Sequence, residues 1–160
     1  MEFMKKRSFL LIITIVGIAT MFLAVGIYAG TEVGDVIKME NAAYKKHTKS
    51  LVMFSHKKHV EEYKAGCGEC HHDENNKPLN NLKKGDAVKN CIECHKKAGY
   101  ITGKAAKGLT AKQKREYHAN ALHDNCKSCH QKFNKKKGLK STDPAAAPTT
   151  CTGCHPKAKK

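Results

Sequence analysis

Hydrophobic positions divide the chain near residue 30. From Phe9 to Ile27 they run almost unbroken for 19 residues, behind Lys5, Lys6 and Arg7 and ahead of Ala29 and Gly30. That order of charge, apolar stretch and small residues predicts an export signal over residues 1–29, with Ile27 and Ala29 at the two positions a cleavage site needs compact. The run is longer than a usual signal and close to the ~20 residues that span a bilayer, so retention as a membrane anchor is the alternative. In either case residues 30–160 face the outside of a bacterial-type inner membrane, because the basic cluster stays in the cytoplasm. Beyond residue 30 the patterning is thin. Val33, Val36 and Ile37 are spaced apolar positions that predict an edge strand or hairpin within residues 31–52. Residues 111–124 predict the clearest helix, with good helix formers, no Gly or Pro, and a capping box from Thr110 and Gln113. Residues 73–90 and 96–109 are rich in Asn, Gly and Lys and predict loops.

Composition sharpens this picture. Residues 31–160 contain only 22 Ile, Leu, Val, Met, Phe and Tyr, too few for a side-chain core at the usual ~25 cal/mol per Å². An ordinary globular enzyme is disfavoured. The segment is either disordered and basic, or organised around something other than protein. The formal charge of the whole chain is +16, from 30 Lys and Arg against 14 Asp and Glu. Export, the absence of Trp and the lack of aromatic residues among the basic runs argue against a nucleic-acid partner.

The cysteines decide between the two. All eight form pairs of one spacing, Cys67 and Cys70, Cys91 and Cys94, Cys126 and Cys129, Cys151 and Cys154, and a histidine follows each pair: His71, His95, His130 and His155. Two thiols on one helical turn can add to the two vinyl groups of a haem, and the adjacent His then reaches the iron as its proximal ligand. Zinc is the strongest competitor, since 20 or 21 residues separate successive pairs in each half of the chain, but a zinc ribbon has no use for His after every second Cys. Disulfides within C-x-x-C would close four tiny loops that staple nothing. Thioredoxin-like motifs come singly. The sequence therefore predicts four covalent c-type haems, which also supply the missing core.

Six histidines remain: His47, His56, His59, His72, His118 and His123. Only Met39 and Met53 lie beyond the leader, so Met cannot serve four irons and His on both sides is expected. His56 and His59 can reach two different irons whether their segment is helical or extended. His72 directly follows His71, and two consecutive side chains cannot hold one iron, so it is free for a neighbouring haem. His47 is remote from every motif and reads as solvated. His118 and His123, five residues apart on a helix, point about 140° from each other, and at most one faces a given haem.

Phe54-Ser55-His56 followed by His59, Cys67 to His72, and Tyr117-His118 through His123-Asp124 ahead of Cys126 together resemble the tetrahaem class III cytochromes, the cytochrome c3 type. The resemblance runs from about Met53 to His155. It implies a small, mainly helical and irregular fold, with short helices and loops and a minor β-hairpin around a four-haem core. It implies distal ligation by His56 for the haem of His71, His72 for that of His95, His59 for that of His130, and His123 for that of His155. The sequence differs from many members in having four C-x-x-C-H motifs and a longer step between His118 and His123, so His118 stands as the alternative to His123. The function implied is that of a periplasmic low-potential electron carrier with no substrate chemistry of its own. It would shuttle electrons between periplasmic dehydrogenases such as hydrogenase and membrane or multihaem acceptors of anaerobic respiration. Acidic redox proteins are the expected partners, met by the lysines at 135–137, 140, 157, 159 and 160. A membrane-anchored tetrahaem quinol dehydrogenase, a multihaem reductase with one five-coordinate iron, and a subunit of an extracellular cytochrome filament are the alternatives.

Overall fold

The computed structural model describes residues 33–157; the expected leader and the last lysines lie outside the described residues. The spaced apolar positions after residue 33 form a minimal antiparallel pair, β1 (Ile37–Lys38) against β2 (Met53–Phe54), with Ile37 opposite Phe54. A single π-helical turn, Lys58–Glu62, follows. The rest is a short 3-10 turn at Cys67–Glu69, α1 (Cys91–Cys94), a second 3-10 turn at Gly103–Ala106, α2 (Ala111–Arg115), the long α3 (His118–Lys137) and α4 (Cys151–Cys154), joined by loops.

The helix expected over residues 111–124 is broken, and this corrects the sequence expectation. The Thr110 and Gln113 capping box forms, but Tyr117 is extended, with φ −82° and ψ 122°. The loop after the second C-x-x-C-H motif enters here. Lys97 donates its N–H to the Glu116 carbonyl at 3.0 Å, and its own carbonyl accepts from His118 N–H at 2.8 Å. Gly99 accepts from Ala119 N–H. Backbone carbonyls thus satisfy the first N–H groups of α3, which Tyr117 leaves without a side-chain cap. An ion pair of 2.6 Å between Lys97 and Glu116 reinforces the crossing. The helix then runs through the third motif and stops at Gly138, whose φ of 66° suits the left-handed cap. Leu139 N–H bonds back to Asn134 O at 2.9 Å. Lys135, Lys136 and Lys137 fill the last turn, where the helix dipole favours positive charge.

Side chains supply almost no core. Among the described residues the only buried apolar side chain is Ala106, while Val36, Met53, Tyr63 and Tyr100 are more than half exposed. The other buried residues are polar: His118, Asn120 and Asn134, all on α3. Apolar burial alone therefore does not account for the fold.

Candidate functional site

Each Cys pair sits on its own helical turn, and the surrounding sequence explains why. Cys67 opens the 3-10 turn and Cys70 closes it, with the loop at Pro78 and Asn80 laid so closely on Gly68 that a Cβ there would clash with the Asn80 side chain. Asn90 and Glu93 form a reciprocal capping box that starts α1 at Cys91. Cys126 and Cys129 ride in the middle of α3. Thr150 caps α4, its hydroxyl accepting from Gly153 N–H at 3.2 Å.

None of the eight cysteines is joined to another in a disulfide. Burial, with smaller effects from neighbouring motif cysteines, pushes the Cys126 thiol up to about 11. Burial likewise raises Cys70, Cys91 and Cys154. Cys126 is nonetheless solvent-accessible. Among the described residues no three His, Cys, Asp or Glu side chains converge on one point as an ion site.

The histidines are brought together in pairs, each uniting a motif His with a spare one. The ring centroids of His59 and His130 are 6.1 Å apart, those of His72 and His95 6.0 Å, and those of His123 and His155 6.0 Å. His56 lies near enough to His71 that its charge, after burial, lowers the His71 pKa.

All six rings of the three measured pairs share one further feature. His59 Nδ1 meets Ser55 O at 2.8 Å, His72 meets Asp73 O at 2.7 Å and His95 meets Arg115 O at 2.5 Å. His123 meets Ala119 O at 2.6 Å, His130 meets Pro148 O at 2.7 Å and His155 meets Ser50 O at 2.7 Å. A carbonyl can only accept, so each Nδ1 carries the proton and each Nε2 presents a lone pair. That is the tautomer a metal-bound imidazole needs, with its orientation fixed by the outer hydrogen bond. Two rings held about 3 Å on either side of one atom, at a metal–nitrogen bond of about 2 Å, have the observed separation. The donor set fits haem iron.

His118 is different. It is 6% exposed and shares a hydrogen bond of 2.9 Å with the Tyr44 hydroxyl, while His47 stacks on the other ring of that contact, Tyr44, at 5.4 Å. The half-turn between His118 and His123 sends the two to different neighbours.

The model of the class III cytochrome c family matches residues 33–155. The chain belongs to the class III cytochrome c family. As a member, it carries covalently bound c-type haem, and its function is multihaem electron transfer. The fold of few short helices, a two-stranded sheet and many loops is that of the family. No curated protein and no solved structure matches the chain.

Sequence reasoning missed the aromatic partners of this class III cytochrome. Phe54 lies against His59 at 4.6 Å and Tyr100 against His123 at 4.8 Å between centroids. It also missed Asn120 and Asn134, for which composition gives no signal.

His118 carries a pH signature. Burial first, then the charge of His95, holds its pKa below the ordinary 6.5. A base whose pKa is lower folded than unfolded binds more protons when unfolded, so its contribution to stability is complete above about 6.5 and is lost as pH falls below that value. The melting temperature of the haem-loaded protein should therefore fall between pH 7 and pH 5, and fall less steeply in His118→Gln. Equal slopes in the two proteins would contradict this account.

Proposed function

We propose that this class III cytochrome is an exported tetrahaem electron carrier with histidine on both faces of every iron. Cys67 and Cys70, Cys91 and Cys94, Cys126 and Cys129, and Cys151 and Cys154 would form the thioethers. His71, His95, His130 and His155 would be proximal ligands, and His56, His72, His59 and His123 the respective distal ones. The observation that carries this is the set of three motif-to-spare ring pairs at 6.0 to 6.1 Å, every ring with Nδ1 tied to a carbonyl.

When bound, each haem supplies a one-electron iron couple, and two imidazoles without Met place it at the low-potential end. The chain's part would be to supply two histidines to each iron, so that no coordination site is left for a substrate. Ser55, a residue from His56, and Phe54 against His59 keep two ligand segments on one short stretch of chain. His71 and His72, consecutive in sequence, would serve different irons, so the corresponding haems would be close neighbours, as rapid transfer requires.

The partners would be acidic redox proteins, such as periplasmic dehydrogenases and membrane or multihaem acceptors. Without residues 1–29 the charge is +14, since that segment holds three basic residues and one acidic one. Lys135, Lys136, Lys137 and Lys140 gather at the C-terminal end of α3, where a surface of one sign steers an oppositely charged partner.

Intact mass of the exported protein tests the proposal. A mass corresponding to residues 30–160 plus four haems is expected. Fewer haem additions would sink the tetrahaem assignment, and a retained leader with the protein in the membrane fraction would favour the anchored quinol dehydrogenase instead.

A further inference from the structure

Two asparagines on α3 are buried, and each grips a loop backbone at two points. Asn134, 6% exposed, donates from Nδ2 to the Ala147 carbonyl at 2.9 Å and accepts from Ala147 N–H at 2.8 Å. Asn120, 8% exposed, does the same to Ile101, at 3.0 Å and 2.8 Å. Asparagine within a helix is otherwise unfavourable, because its side chain competes for the backbone. Here both side chains are fully used on another segment.

What lies beside each grip gives it meaning. The residue after Ala147 is Pro148, whose carbonyl accepts from His130 Nδ1 at 2.7 Å. Proline has no N–H, so no donor of its own holds that residue in place. Its position must come from its neighbours. On one side Asn134 fixes Ala147. Further back, the Lys140 N–H to Asp143 Oδ2 bond and the Ala146 N–H to Asp143 O bond of 2.9 Å close the loop into turns. On the other side a Cβ at Gly153 would lie 3.1 Å from Pro148 Cβ, so α4 packs against the ring. His130 and Asn134 are four residues apart and therefore one above the other on the same face of α3. One helix face thus holds consecutive loop residues, Ala147 through Asn134 and Pro148 through His130.

We infer that Asn134 is a positioning residue: acting through Ala147, it sets the Pro148 carbonyl that fixes the proton and the plane of the His130 imidazole, and so tunes the potential of that one haem. The inference rests on His130 being an iron ligand, as proposed above. A carbonyl on Nδ1–H makes the ring a stronger donor to iron and favours the ferric state. Loosening it favours the ferrous state and frees the ring to turn.

The experiment uses the haem-loaded protein. Wild type, Asn134→Ala, Asn134→Asp and Asn120→Ala are compared by intact mass, by electron paramagnetic resonance of the oxidised form, and by redox titration of the individual haems. The haem in question is identified as the one that becomes high-spin in His59→Ala. In Asn134→Ala that haem alone should shift its low-spin signal and move toward the ferrous state by about three- to tenfold at fixed ambient potential. Asn134→Asp, which still accepts from Ala147 N–H, should move it less. Asn120→Ala removes a grip of the same kind about 21 Å away along the helix and should leave that haem unmoved. Unchanged signals in Asn134→Ala, a uniform shift of all four haems, or the same haem moving in Asn120→Ala would each overturn the inference. If Asn134→Ala does not accumulate, Asn134→Asp is judged by the same criteria. Fewer than four haems in wild type would instead overturn the ligand assignment, and this inference with it.

Discussion

Residues 30–160 produced without haem attachment will show no cooperative thermal or urea transition and little helical circular dichroism. Ordering a backbone costs roughly 1–2 kcal/mol per residue, and burial of apolar surface is the main term that offsets it. In this chain that term is nearly missing from the protein itself, since Ala106 is the only buried apolar side chain among the described residues. Three of the four α-helices are four or five residues long, far below the ~12–15 at which an isolated helix becomes even marginal. The fourth, α3, has twenty residues, but the three it buries are His118, Asn120 and Asn134, and a polar face is not a driving force. The surface ion pairs, such as Lys38 with Glu40 at 2.6 Å, are about half exposed and add little. With haem attached, the same chain should unfold in a sharp transition. A cooperative melt of the haem-free chain would show that the macrocycles are not its core.

How much of this was legible beforehand follows the reach of each interaction. The Cys turns were readable because C-x-x-C-H is local: thiol spacing and the following His fall within one turn, and caps such as Asn90 and Thr150 stand next to them. The strand at Ile37 was readable from the spaced apolar positions around it, though only two residues of it pair. The break at Tyr117 was not, because nothing within residues 111–124 disfavours helix. The decisive partner is the backbone of Lys97, 20 residues earlier, which carries no side-chain signature. The same holds for the carbonyls that orient the histidines. His155 depends on Ser50 O and His130 on Pro148 O, at separations of 105 and 18 residues. His118 and His123 could not be told apart from the angle between them, since the residue that occupies His118 is Tyr44, 74 residues away.

That last distinction sets up the sharpest functional test. His123→Ala should convert one haem from low-spin to high-spin, raise its potential and open it to carbon monoxide in the reduced protein. The other three haems should stay closed. The reason is geometric: His123 faces His155 at 6.0 Å with Nδ1 held by Ala119 O at 2.6 Å, so its Nε2 is the available donor on that side. Tyr100 backs the ring at 4.8 Å and limits its rotation, and His118, tied to the Tyr44 hydroxyl, is not placed to step in. His118→Ala should keep every haem low-spin and closed to carbon monoxide. Its cost should be in stability alone, about 1–3 kcal/mol for leaving the Tyr44 hydroxyl without its partner in a half-buried site. Reversed outcomes, with His118→Ala opening a haem and His123→Ala leaving all four closed, would move the fourth distal ligand to His118. They would also require α3 to turn by roughly 140° about its axis, which would carry Asn120 and Asn134 off the loops they hold. The pair of variants therefore tests the ligand and the register of the helix together.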